Sequence, residues 1–331
     1  MSSSYVSGRA FAGIGGLGLL GLAPVALSKY YLGVLTLALI YAIFALSLDL
    51  AWGYAGILTF GHAVFFGTGA YIMAVLLPEY PVVGGLTATV VAGAIGVVVA
   101  GPLLYRGVEA EYFALITLAF GVIAEQVATS WTDVTGGSNG LLVRADSLSR
   151  AGVSVELSTM TVYAVVVGAV IGTYAIVRRV VNSSFGAAVI GIAQNEQKAR
   201  ALGYDVARYR TMLFGVSGAI AGGSGALYTV YSGFVSPSLL GFELSTTALI
   251  WVLVGGRGTL TGAVVGAVGI TLFENILSGV FVFAWTLILG LTLVAVVVAL
   301  PGGLVGATTR LRAWLEEPIR WLSRQSARRR S

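Results

Sequence analysis

Runs of 18 or more predominantly apolar residues recur from one end of this chain to the other. As helices they match the length that crosses about 30 Å of hydrocarbon. Ten runs predict crossings, near 11–27, 31–51, 62–77, 82–105, 112–130, 160–178, 211–231, 244–255, 260–273 and 278–300. The pattern is that of an all-α, polytopic transmembrane helix bundle of about 8–10 spans. The runs near 62, 244 and 260 are short and predict broken or re-entrant helices. Residues 1–309 then read as one transmembrane domain and 310–331 as a basic tail.

Polar positions concentrate between the runs. Between Arg178 and Arg210 lie six cations (Arg178, Arg179, Lys198, Arg200, Arg208, Arg210) against two acids, Glu196 and Asp205. Seven more of the 19 cations follow residue 309, so the net charge of +5 marks cytoplasmic ends rather than a nucleic-acid surface. This bias places the 179–210 loop and the tail in the cytoplasm, the 131–159 loop outside, and the N-terminus inside, in a plasma membrane. The apolar run after Arg9 reads as an uncleaved first helix, since no small-residue cleavage site follows it.

Composition narrows the chemistry. Hydrophobic residues make up 57% and charged residues 10%, with a mean hydropathy of +0.92. There is no cysteine and one histidine, which excludes disulfides, thiolate metal sites and paired-histidine metal motifs. The only lysines, Lys29 and Lys198, do not follow glycine, so there is no phosphate-binding loop and no ATPase site of the chain's own. No cofactor is expected. Glycines such as Gly13 to Gly18 in the first run, and Gly215, Gly218, Gly222, Gly223 and Gly225 later, read as faces for close helix packing.

Two glycine-interrupted segments stand out, Trp52-Gly-Tyr-Ala-Gly-Ile-Leu-Thr-Phe-Gly-His62 and Trp251-Val-Leu-Val-Gly-Gly-Arg-Gly-Thr-Leu-Thr-Gly262. They lie in opposite halves and share the order aromatic, glycines, Leu-Thr, glycine, small apolar helix. Paired broken segments are the usual sequence pointer to a transport pathway. Irregular backbone at membrane depth survives only where protein or water covers it. Candidate pathway residues are therefore Asp49, Trp52, Tyr54, Thr59, His62, Arg257 and Thr259. An acid at mid-bilayer costs about 2.5–3.5 kcal/mol on insertion scales, which argues for a partner or a water-lined cavity. Asp49 fits a pathway, whereas Glu125 and Glu274 read as interfacial acids near span ends. His62, at a helix start, reads as a structural imidazole. In the external loop, Thr135-Gly-Gly-Ser-Asn-Gly-Leu141 predicts a tight turn in which the glycines and Asn139 take positive φ, on a vestibule or docking surface.

The basic loop carries its own helix signal. Asn195 is placed to N-cap, Glu196 sits in the first turn, Lys198 and Arg200 follow, and Gly203 stops the helix. Upstream, Phe185 to Ile192 is apolar enough to pack against the membrane domain. A capped cytoplasmic helix of this kind predicts a protein-docking element.

Several blocks together resemble a known family: Trp52–Tyr71, Tyr112–Phe120, Thr135–Leu141, Asn195–Tyr228 and Gly255–Gly262, running in order from about residue 31 to Leu304. They are similar to the permeases of branched-chain amino acid ABC importers, in particular the larger of two permease types. Urea and short-amide permeases form the sibling branch. The resemblance implies a subunit that works beside a second, related permease, two ABC ATPase subunits and an extracytoplasmic solute-binding protein. It identifies Asn195–Asp205 with the loop that docks on the ATPase, through Glu196, Gln197, Lys198, Arg200, Gly203 and Tyr204. Gln197-Lys-Ala stands where the general importer pattern has Glu-Ala-Ala. The solute is a small molecule, a branched-chain or other hydrophobic amino acid or, alternatively, urea or a short amide. An ion-coupled secondary transporter or channel is the reading from another class.

Overall fold

In a computed structural model the chain is described over residues 23–77 (except 25), 80–143 and 158–280, and at a few positions up to 306. Ten helices of six residues or more are seen in this part. They are α1 Lys29–Asp49, α2 Ala63–Leu76, α3 Pro81–Tyr105, α4 Ala110–Ser130, α5 Thr159–Val181, α6 Ser184–Gln194, α7 Glu196–Ala201, α8 Val206–Ser232, α9 Phe242–Gly255 and α10 Leu260–Val280. Six of the helical stretches, including α1 with its extension to Tyr54, are long and apolar enough to cross a membrane. The 14-residue α2 and α9 are about 21 Å long and reach only part-way. The protein is a multi-pass helical bundle.

Eight of the ten expected runs are helices. The other two, 11–27 and 278–300, lie mostly outside the described residues, as do the glycines of the first run and the tail after 310. One boundary is corrected. The expected break between 273 and 278 does not exist, because α10 runs unbroken to Val280. Its Leu-, Ile- and Phe-rich continuation offers no glycine or proline between Phe273 and Leu277 to stop it. Glu274 therefore lies inside a helix, five residues before the end of that candidate span.

α1 is the axis of the bundle. From Ala38 to Ala51 it is buried on nearly every side, as a helix apolar all round must be. It packs on α8, α10, α5 and α9, while α8 also packs on α2 and α3. The α8 contacts depend on small residues. A Cβ on Gly222 would overlap Ala92 of α3, one on Gly225 would overlap the Phe66 carbonyl, and one on Gly69 would overlap Gly222. Without a hydrophobic drive between helices in lipid, such close approach is the main source of cohesion. Three buried hydroxyls on α8 add polar bonds: Ser217 to the Ser47 carbonyl, Ser224 to Ile40 and Thr229 to Ala70.

The 23-residue α5 holds the two polar ends of the molecule about 34 Å apart. At one end are α6 and α7. At the other, β1 Leu141–Leu142 pairs antiparallel with β2 Phe234–Val235, tying the loop after α4 to the turn after α8. The glycines of this loop do take positive φ (Gly136 73°, Gly137 60°, Gly140 69°), but Asn139 does not. Asn139 instead closes a short 3-10 turn with its side chain exposed, because three adjacent glycines already absorb the left-handed positions.

Gly69→Leu or Gly225→Leu should push α2 from α8 and cost about 1–3 kcal/mol or more, as overpacking does. Gly172→Leu, which meets nothing within 4 Å, should be neutral. Thermal melting of the detergent-purified protein separates the two outcomes.

Candidate functional site

The two glycine-interrupted segments, about two hundred residues apart, meet. α1 ends at Asp49 and widens into one π-helical turn, Leu50–Tyr54, before the chain becomes irregular up to His62. α9 ends at Gly255, and the turn Gly256-Arg-Gly-Thr259 leads into α10. The Gly258 amide donates to the Asp49 Oδ1 at 2.7 Å. The Arg257 guanidinium donates to the Trp52 carbonyl through Nη2 (3.0 Å) and Nε (3.3 Å), and lies 4.8 Å from the centre of the Trp52 ring. Thr259 donates its hydroxyl to the Gly256 carbonyl and so closes the turn.

Glycine is required here. Gly256 and Gly258 have φ of 121° and 73°, and a Cβ on Gly53 would overlap both the Asp49 carboxylate and the Gly258 amide. Asp49 is fully buried, and its Oδ1 accepts from that amide while Oδ2 has no partner among the described residues. An intramolecular hydrogen bond contributes about 0.5–1.5 kcal/mol net, and leaving a buried donor unmet costs more. The segments thus form one interlocked joint in which each supplies a partner for backbone the other leaves free.

Thr59 and His62 lie deeper. His62 is fully buried at the start of α2, with Nε2 2.9 Å from the Ser47 hydroxyl and 3.5 Å from that of Ser217. Phe44, Phe65 and Phe214 surround its ring. The next amide, Ala63, donates to the Ser245 hydroxyl of α9 at 2.9 Å. Ser47, Ser217 and Ser245 drew no notice in the sequence, because single serines in apolar helices carry no local pattern. Tyr54 is half-buried on the π-helical turn.

At the polar end, Asn195 caps α7 by accepting from the Lys198 amide at 2.9 Å. Gly203, at φ 87°, ends it, and the Tyr204 amide returns to the Ala199 carbonyl. Ala199 is buried against Ile192 and Val206, which seats the helix, while Gln197, Lys198, Arg200, Gly203 and Tyr204 face outward. Glu196 pairs with Arg200 one turn on (2.7 Å) and with Arg210 of α8 (2.6 Å). Partial burial works against its charge, but the bonds from Arg200 and Arg210 prevail and hold the carboxyl below the usual glutamate range. Arg210 was counted only as a loop cation. Its fourteen-residue separation from Glu196 belongs to no helical period.

The polar end and the joint are in contact. Gly56 of the first broken segment lies against Ala193 of α6. Gly56, Ile57 and Leu58 share a cavity of about 160 Å³ with Glu196, Arg200 and Arg210. The turn Gly107–Ala110 completes its wall.

A family model described as the permease component of the branched-chain amino acid transport system matches residues 30–298, a stretch that contains the joint, the capped helix and both half-length helices. The chain belongs to that permease family. Its relatives include the high-affinity branched-chain amino acid transport system permease protein LivM of Salmonella typhimurium, 28% identical, with 86% of this chain and 72% of LivM covered. A probable LivM of Methanocaldococcus jannaschii is 24% identical over 69% of this chain and 75% of its own length. The permease LivH of Salmonella typhimurium is 22% identical, covering 85% of this chain and 95% of LivH. No solved structure matches.

In this permease, Asp49→Ala should leave the Gly258 amide without its acceptor and lower stability by about 1–3 kcal/mol, while Asp49→Asn, which keeps an acceptor, should lose less. Melting in detergent reads both. Glu196→Gln should loosen α7 from α8, seen as faster amide exchange across 196–203 with the exchange of α1 unchanged. Because the folded carboxyl titrates low, the contribution of Glu196 is present above the usual glutamate range and is lost only as pH falls through the lowered value.

Proposed function

We propose that the chain is a transmembrane permease subunit of an ATP-driven ABC importer that moves branched-chain or other hydrophobic amino acids across the cytoplasmic membrane. The observation that carries the reading is the seated, capped helix α7, with Gln197, Lys198, Arg200 and Tyr204 exposed and its neighbour α6 resting on a broken transmembrane segment. Family membership and the transport named for LivM and LivH support the solute class. In this reading two ABC ATPases dock on Glu196–Tyr204, a second related permease completes the pathway, and an extracytoplasmic binding protein delivers solute near Asn139. Both termini face the cytoplasm, residues 1–309 act as one permease domain with 310–331 as its basic tail, and ATP is hydrolysed by the partners alone.

Alternating access then has a mechanical route. Closure of the ATPases moves α7, the Glu196–Arg210 pair passes the motion to α8, and the Ala193–Gly56 contact passes it to the joint. Asp49, Trp52, Arg257 and Thr259 hold the joint, while Tyr54, Thr59 and His62 line the segment that shifts. Interlocked segments favour discrete arrangements over continuous bending.

The test is uptake of labelled leucine and labelled urea into vesicles containing the chain with its co-encoded partners, with and without ATP and with an ionophore present. ATP-dependent leucine uptake that survives ionophore supports the reading. Entry of urea instead moves the protein to the amide branch, and uptake that needs an ion gradient and ignores ATP overturns the importer. Gly203→Pro, or Lys198→Glu with Arg200→Glu, should keep ATP hydrolysis but lower uptake about tenfold or more, a loss of over 1.4 kcal/mol in coupling. Normal uptake would remove the docking role from α7.

A further inference from the structure

A groove of about 540 Å³ opens at the polar end, where the chain turns from α7 into α8. Phe185 of α6, the turn Leu202–Asp205, and Arg208, Tyr209 and Met212 of α8 line it. Its volume falls within the about 300–1,000 Å³ of small-molecule sites. It shares no lining residue with the cavity that borders the first broken segment. The floor is aromatic. The rings of Phe185 and Tyr209 stack with their centres 5.3 Å apart, and Tyr204 meets Tyr209 edge-on at 5.9 Å. The turn itself is open, since a Cβ on Gly203 would meet nothing within 4 Å.

Two features indicate what such a groove holds. The first is an uncovered apolar rim, with Leu202 68% and Met212 45% exposed. Met212 lies six residues, about 9 Å, into α8, which is a candidate membrane span. The groove therefore runs from the cytoplasmic turn onto an exposed part of that span, at the level where aromatic side chains form the interfacial belt. The second feature is charge. The Arg208 guanidinium is exposed and makes no hydrogen bond or ion pair among the described residues. Asp205 also lines the groove, but its Oδ1 accepts from the Arg208 amide at 3.0 Å, so this acid caps α8 and its charge is offset by that helix end. Arg178 and Arg179, exposed in the last turn of α5, add positive charge at the same end. An unpaired cation above an aromatic trough is complementary to a phosphate carried on acyl chains. A docked ATPase meets a different surface, because Gln197, Lys198 and Arg200 lie outside the groove and only Gly203 and Tyr204 border it.

We propose that this groove seats an anionic phospholipid of the cytoplasmic leaflet, with its phosphate on Arg208 and its glycerol and upper acyl chains against Phe185, Tyr209 and Met212. The proposal goes beyond the importer reading, because it needs only that α8 enters the membrane at this end. An arginine can lay its methylenes along apolar surface while its head stays at the level of the phosphates. Its planar fork then pairs with two phosphate oxygens at once. Phosphatidylcholine offers the same chains and phosphate but brings an ammonium, which Arg208, Arg178 and Arg179 disfavour. A lipid seated here spans α6, the turn at Gly203 and α8, and so ties the end of α7 to the membrane surface.

The chain has no cysteine, so Met212→Cys places a single reporter on the rim. The full chain, with cysteine-free co-encoded partners, is assembled in nanodiscs, and bimane on that cysteine is quenched by lipids carrying a nitroxide high on one chain. Labelled phosphatidylglycerol diluted into phosphatidylcholine should reach half-maximal quenching at about fivefold lower mole fraction than labelled phosphatidylcholine, the preference one cation gives for an anionic lipid. Arg208→Gln should abolish that preference and Arg208→Lys should keep it. Arg106→Gln, which removes an exposed cation outside the groove, should leave it unchanged. Inorganic phosphate should weaken it no more than chloride of equal ionic strength. Equal half-points for the two lipids, equal losses in the Arg106 and Arg208 variants, or specific displacement by phosphate overturns the proposal. Quenching by neither lipid also overturns it, because a partner protein then covers the groove. Bimane at Leu202→Cys, in the turn, gives a second set of the same readings if Met212→Cys does not assemble. None of these readings depends on uptake, so the lipid site and the importer stand or fall separately.

Discussion

A helix broken within a packed bundle leaves buried amides and carbonyls that need partners, and much of this molecule is arranged around meeting that demand. The first break, after Asp49, exposes the Trp52 carbonyl, and the second, after Gly255, exposes the Gly258 amide. Each is met by the other segment, through the Arg257 guanidinium and the Asp49 carboxylate. Asp49 and Arg257 are thus the two sides of one interlock. Gly53 is glycine because a Cβ there would overlap the Asp49 carboxyl and the Gly258 amide, and Gly258 because its φ is 73°.

The interlock needs its two helices held in register, which falls to α1 and α8. α1 is buried along its second half, and α8 crosses α2 and α3 at close-set glycines, with Phe65 and Phe66 of α2 packed on Phe214 and Tyr228 of α8. Buried hydroxyls at Ser217, Ser224 and Thr229 then fix the register of α8 by bonding to carbonyls of α1 and α2. The half-length helices α2 and α9 start beside one another, joined by the Ala63 amide and the Ser245 hydroxyl. His62 is enclosed at that junction by three aromatic rings and two serines.

The polar end is bound to this framework by a few specific contacts rather than by a broad interface. α7 is anchored by one alanine, by the Glu196 pairs to Arg200 and Arg210, and by its neighbour α6 against Gly56. Its remaining face is solvent-exposed and basic. The same cavity borders α7, α8 and the first broken segment.

Much of this was legible in the chain itself. Hydropathy alone determines a multi-pass helical bundle, since backbone in lipid has no alternative but to close its hydrogen bonds within helices. Local chemistry determines the capped helix at Asn195–Gly203, because caps and stops act between residues three to five apart. The two broken segments are marked by their glycines. Their partnership, in contrast, joins residues about two hundred positions apart, and no period links Asp49 to Gly258 or Glu196 to Arg210. Likewise, nothing in the local sequence announces that α10 runs unbroken past Glu274 to Val280. Sequence by itself specifies which groups must be bonded inside a membrane. Only the tertiary structure decides with whom, because that choice is made by helices crossing in space, where distance along the chain carries no information.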